Sequence, residues 1–202
     1  MSYIVLDVLG FMEDMMGTYN AEMSYIVLDV PSPFAERVLS IRQHYGSWRI
    51  ALPVEITIVG SSGIGVLRYE ENEVDEVFKM INDVAEQVSP IVTHFTSVAR
   101  FPNTSIFYYA QQNPEPFVQL QDAIIGTGLK FDTSPFSFTP HCTIADFTNP
   151  TEELVQEVMS LPVPQANIVL DTLSVYALDD RVLSGNQEGC RLLHRTKLGK
   201  NA

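Results

Sequence analysis

Two rhythms of apolar and polar positions run along the chain. Short β-branched runs alternate with a period of two, and between them longer stretches repeat apolar residues every three or four positions. Ser24-Tyr25-Ile26-Val27-Leu28-Asp29 opens in the first rhythm. Ser32-Pro33 then reads as an N-cap with proline at the first helical position, and Phe34, Val38, Ile41 and Tyr45 continue at helical spacing up to Gly46. The clearest helix spans 73–88, where Val74, Val77, Phe78, Ile81, Val84, Ala85 and Val88 share one stripe and Glu73, Asp75, Glu76, Lys79 and Asp83 form a solvated face. Residues 92–101 and 104–110 read as strands joined by a turn at Pro102-Asn103. A third helix over 116–125 carries Phe117, Leu120 and Ile124 and stops at Gly126 and Gly128. Asn149-Pro150-Thr151-Glu152 reads as a capping box for a fourth, with Leu154, Val155, Val158 and Met159 inward and Pro162 and Pro164 ending it. Final strands are predicted over 168–177 and 190–196, around the polar turn Ser184-Gly185-Asn186-Gln187.

Within this alternation two segments are near-copies: Leu52-Pro53-Val54-Glu55-Ile56-Thr57-Ile58 and Phe138-Thr139-Pro140-His141-Cys142-Thr143-Ile144. On a strand, Glu55 shares one face with Thr57, and His141 shares one face with Thr143, while Ile56, Ile58, Cys142 and Ile144 point into a core. If the two strands lie side by side about a pseudo-twofold axis, each half delivers one acid/base group and one hydroxyl to a single cleft.

In these motifs and their surroundings the chain resembles the 2H phosphoesterases, the family of 2′-5′ RNA ligase-like proteins and cyclic nucleotide phosphodiesterases, whose signature is a pair of His-x-Thr/Ser motifs. The resemblance covers about 23–198 and implies an α+β, bilobal, pseudo-symmetric fold with two antiparallel sheets facing a central cleft and helices outside. It also implies that His141 is a catalytic histidine and that Thr57 and Thr143 contact phosphate. Glu55 stands where the other histidine would be. Asp146 stands near the place where many members carry a basic residue, a position where a carboxylate would repel phosphate.

Composition changes the picture in three ways. With 202 residues, 46% of them hydrophobic and 18% charged, the chain is long enough for one domain with a sizeable core. Its formal charge of −13 against 12 Lys plus Arg disfavours a surface that coats long nucleic acid, but admits a nucleotide or short RNA end held by a local cluster. No apolar run reaches the roughly 20 residues needed to span a bilayer and no secretory signal is evident, so a cytoplasmic protein without membrane contact is expected. Cys142 and Cys190 offer neither a disulfide framework nor a metal-ligand spacing and read as buried free thiols.

Met1 to Val8 repeats verbatim as Met23 to Val30. We read 1–22 as a duplicated extension ahead of a single domain over 23–202. Two identical segments compete for one slot in a sheet, so strand exchange through residues 1–30 could join two molecules; the oligomeric state is left open. The run Gly60-Ser61-Ser62-Gly63-Ile64-Gly65 lacks the ending of a P-loop and reads as a flexible turn.

Cleavage of a cyclic phosphodiester needs a base for water, an acid for the leaving alkoxide and donors for the phosphoryl oxygens. Glu55 as base and protonated His141 as acid, with Thr57 and Thr143 as donors, meet these needs without metal or other cofactor. In this expectation Glu55 also raises the histidine pKa. Arg100 is the candidate phosphate contact, Tyr108 or Tyr109 the candidate stacking surface and Phe147 a further substrate-binding candidate. Arg49, Arg68 and Lys130 are other cations that could enter the cleft. The expected activity is a phosphodiesterase on 2′,3′-cyclic or 2′-5′ ends of nucleotides or short RNA. The alternative is a catalytically impaired relative that binds a nucleotide-like ligand or a protein. His44, His94 and His194 have no motif context and read as surface or packing residues.

Overall fold

The computed structural model describes residues 23–68, 71–179, 181–182 and 186–199. The first copy of the octapeptide, and with it the predicted strand exchange, lies outside the described residues.

The second copy forms β1 (Met23–Asp29), in which Ile26 and Leu28 are fully buried on one face and Tyr25 and Val27 take the other. β1 is flanked by β2 (Glu55–Val59) and β8 (Thr172–Leu178), and β9 (Cys190–Lys197) pairs with β8, giving an antiparallel sheet ordered β2-β1-β8-β9. A second antiparallel sheet contains β4 (Phe95–Arg100), β5 (Ile106–Gln111) and β6 (His141–Asp146), in that order. Both motif strands, β2 and β6, are therefore edge strands, and they lie against each other where the two sheets meet.

Two of the predicted strands are divided. The segment over 92–101 breaks at His94 and that over 168–177 breaks at Asp171; the leading pieces, β3 (Ile91–Thr93) and β7 (Ile168–Leu170), leave to pair with each other. At both breaks the main chain finds a partner outside its own strand: His94 O accepts from Gln112 N and Asp171 O from Leu198 N. The β3–β7 ribbon thus delivers β4 to one sheet and β8 to the other. Periodicity cannot show such a break, since both sides of it remain in the strand rhythm.

The helices cover the outer faces. α1 (Phe34–His44) packs on β6, α2 (Val74–Gln87) on β9, α3 (Glu115–Ile125) on β2 and α4 (Glu152–Met159) on β4. On α2 the buried residues are Val77, Ile81, Val84 and Ala85, as its stripe predicts. Two helix starts differ from expectation. The Ser32–Pro33 peptide is cis and Pro33 itself takes the N-cap position of α1, without a side-chain cap. At α4 the cap is Thr151, whose side chain accepts from Leu154 N, whereas Asn149 lies in the preceding turn with φ of 52°. The architecture is α+β, and no described helix is long and apolar enough to cross a membrane.

Candidate functional site

On β2, Ile56 and Ile58 are fully buried and Glu55 and Thr57 face the other way; on β6, Cys142 and Ile144 are fully buried and His141 and Thr143 face the other way. All four polar side chains border one cleft of about 110 Å³. Thr57 Oγ1 donates to Glu55 Oε2 at 2.9 Å. His141 Nδ1 lies 2.6 Å from Thr139 O. A carbonyl can only accept, so Nδ1 carries the hydrogen, and in the neutral ring Nε2 presents its lone pair.

Burial sets the ionisation of both groups. Desolvation pushes His141 down to about 4, opposed by the bond to Thr139 and reinforced by the charge of Arg49. Desolvation raises Glu55, opposed by the Thr57 hydrogen bond and by Arg49 and Arg42. The expectation that Glu55 lifts the histidine pKa is thereby corrected, because the loss of water around the imidazole outweighs any nearby carboxylate. Cys142 is buried and its thiol is pushed up to about 12, which makes it a core residue; Cys190 is only half-buried and lines the cleft.

The turn before β2 joins the two motif strands. Gly46, with φ of 63°, ends the α1 connection and leads into a 3₁₀ turn, Trp48–Ala51. Arg42, 1% exposed, reaches from α1 to donate to Arg49 O, Leu52 O and Pro53 O through Nη1 and to Thr143 O at 2.8 Å through Nη2. One buried guanidinium thus ties the approach to β2 onto β6. Ser47 Oγ donates to Asp146 O and accepts from Asp146 N. Arg49 Nε donates to the Asp146 carboxylate at 3.3 Å, and its guanidinium lies 4.8 Å from the Trp48 ring centroid. Asp146, expected to repel phosphate, is ion-paired in this way with a residue from the other motif's approach.

The remaining candidates separate by where they lie on the second sheet. Tyr108 is the register partner of Thr143 on β5, and its ring lies 5.1 Å from that of His141 and stacks on Phe101. Arg100 pairs in register with the buried Phe107, lies over its ring and donates to Thr104 O, which puts it on the core side of the sheet. Phe147 packs edge-on against Tyr45 and Phe107. None of the three lines the cleft: Tyr108 stands beside His141 without reaching it, Arg100 lies on the opposite face of its sheet, and Phe147, although an even number of residues from His141, follows a bulge in β6. Arg68 is engaged outside by Glu71 and Asp132. Of the four candidate cations Arg49 alone lines the cleft, with Tyr25, Trp48 and Tyr176 beside it. Tyr25 could have been placed from sequence once β1 was paired with β2, since Val27 opposes Thr57 and Asp29 opposes Glu55. His194, by contrast, stacks on Phe78 and contacts Asn82, a packing role.

A profile of the 2′-5′ RNA ligase superfamily matches residues 30–181. No curated protein sequence matches the chain. Among solved structures the fold is similar to E. coli LigT complexed with 3′-AMP, at 14% identity and TM-score 0.56 over 88% of this chain and 97% of that one. TT0787 of Thermus thermophilus aligns at 13% identity and TM-score 0.57 over 89% of this chain and 100% of its own. E. coli LigT complexed with ATP aligns at 14% identity and TM-score 0.53, covering 89% and 98%. With the profile covering most of the chain and the two motif strands meeting at one cleft, the protein belongs to the 2′-5′ RNA ligase superfamily of 2H phosphoesterases.

Proposed function

We propose that the protein is a metal-independent phosphodiesterase acting on 2′,3′-cyclic or 2′-5′ phosphodiester ends of nucleotides or short RNA, with His141 as general base and Glu55 as general acid. The observation that carries this reading is the shared cleft in which burial drives the two groups toward their neutral forms. A carboxyl raised above its ordinary 4.5 and an imidazole lowered to about 4 invert the usual order, so a neutral base and a protonated acid coexist over an acidic window. Water attacks phosphorus and gives its proton to His141; the P–O bond to the leaving ribose oxygen breaks, and Glu55 supplies that oxygen's proton. Thr57 and Thr143 donate to the nonbridging oxygens. This assignment reverses the roles expected from sequence. That LigT structures hold 3′-AMP and ATP supports a nucleotide as the ligand class.

The test is turnover of nucleoside 2′,3′-cyclic phosphates without added metal. His141→Ala and Glu55→Gln are each expected to lose about 10²- to 10⁴-fold in kcat, with kcat/KM highest in the acidic range and falling on the alkaline side as Glu55 ionises. The competing reading, an impaired relative that only binds, is favoured by the Thr57–Glu55 hydrogen bond, which occupies a hydroxyl that would otherwise meet phosphate. It is supported if wild type binds without turnover and Glu55→His gains activity.

A further inference from the structure

Among the described residues lining the cleft, Arg49 is the one guanidinium or ammonium group. It sits in the short turn before β2 and is held from three sides. Arg42 donates to its carbonyl, Asp146 accepts from its Nε, and the Trp48 ring lies beneath its guanidinium. Its side chain is 18% exposed and that of Asp146 16%, so their interaction is only partly screened by water. The Nη groups make no hydrogen bond among the described residues, leaving donors of the geometry that grips a phosphoryl group from one edge. Carboxylates supply the rest of the charge around the cleft. Glu55 and Asp179 both line it, and the hydrogen bonds from Arg181 lower Asp179 from its ordinary value, leaving it ionised near neutrality. Asp146 already takes part of the charge on Arg49.

One cation facing carboxylates can accommodate one negative charge. We propose that Arg49, positioned by Asp146, is the anion-binding residue of this cleft, and that with Glu55 in the same cleft it selects singly charged phosphodiesters over doubly charged phosphomonoesters. The inference rests on the reading of the site as a phosphodiesterase and adds the charge class of what it holds. A cyclic phosphodiester carries one charge at any pH near neutrality. Its hydrolysis product, a monoester, carries a second charge above a pKa of about 6. Above that pKa the second charge meets Asp179 and, once it has ionised, Glu55, so the monoester is held less tightly than the diester there. Arg49 also bears on both reacting groups, since its charge lowers His141 and Glu55 alike.

The test is calorimetric titration of the full-length chain, carrying His141→Ala to prevent turnover, with adenosine 2′,3′-cyclic phosphate and with adenosine 3′-monophosphate at pH 8 and pH 5. At pH 8 the cyclic diester is expected to bind about tenfold or more tightly, and the gap closes at pH 5, where the monoester becomes a monoanion. Arg49→Met should weaken the diester about 10- to 100-fold, the worth of a charge-assisted contact, and Arg49→Lys should recover part of it. Glu55→Gln should tighten the monoester at pH 8, an arm that stands even if Arg49→Met fails to fold. Equal affinity for the two ligands at pH 8, or diester binding unchanged in a folded Arg49→Met, overturns the proposal while leaving the phosphodiesterase reading intact. Binding of neither ligand, together with absence of wild-type turnover, overturns both.

Discussion

His141 and Glu55 pull the pH dependence of stability in opposite directions. The imidazole is lowered from 6.5 to about 4 on folding, so between those values the unfolded chain takes up a proton that the folded one refuses. Stability from this group is therefore complete above about 6.5 and falls as pH drops toward 4, by up to roughly 3 kcal/mol. Glu55 is raised, so its contribution is present below 4.5 and is lost as pH rises through its folded value. Urea midpoints at pH 7.5 and pH 4.5 should show that His141→Gln loses less on acidification than wild type. Glu55→Gln should gain on wild type more at the higher pH than at the lower. An acid-insensitive wild type with unchanged variants would mean that neither group is desolvated as described. At Gly60 the constraint is steric, because an added Cβ would stand 2.5 Å from Thr57 Cγ2 and 2.7 Å from the Tyr25 ring. Gly60→Ala should lower turnover by displacing Thr57, with a melting-temperature change too small to account for the loss. Of these residues, Glu55 with Thr57 and His141 with Thr143 were legible as pairs because strand parity puts each pair on one face, whereas the meeting of the two pairs depends on how the sheets come together. Arg49 was legible only as one of four candidate cations, because a short 3₁₀ turn has no period to reveal where its side chains go.

At the scale of elements, the turn over 46–53 is the structural hub, and Arg42 is its pin. Replacing Arg42 by Met strips three carbonyls of the turn and one of β6 of a charged donor inside the protein. A loss of about 3 kcal/mol or more is expected in urea titration, larger than for Arg49→Met, whose partner is partly exposed. The sequence pattern singles out no role for Arg42, since nothing in helical spacing marks an arginine that crosses to another sheet. The helices themselves were readable to within a residue or two because their stripes are long. The divided strands were not, because the choice of partner sheet is a long-range property: β3 and β7 need each other, far apart in sequence, before either break has a cause.

For the whole molecule, net charge and topology set what reaches the cleft. With a formal charge of −13, a ~40-nucleotide RNA should bind no more tightly at ~0.15 M salt than a dinucleotide with the same end, as fluorescence anisotropy would report; tighter binding that weakens steeply with salt would reveal a basic track. The α+β class was what the family resemblance implied, and the alternation of strands with helices and the paired motifs followed from the sequence, since both rest on local rhythm. The exchange of elements between sheets did not. β1 and β2 belong to one sheet while α1, between them in sequence, packs on the other; α3 covers β2 although β5 and β6 on either side of it lie in the opposite sheet. The final strands return to the sheet that holds β1.

That lacing bears on how a ligand gets in and out. Hinge closure concentrates rotation in a few crossover residues between two bodies, but here the two sheets are joined by repeated passages of the chain, by the β3–β7 ribbon and by Arg42. The halves cannot swing apart without breaking several of these at once. Admission and release therefore fall to the short segments that line the cleft outside the sheets, Ser61 and Ser62 after β2 and Asp179 and Val182 after β8. The affinity of the site is then set by charge and side-chain fit within a frame of fixed width.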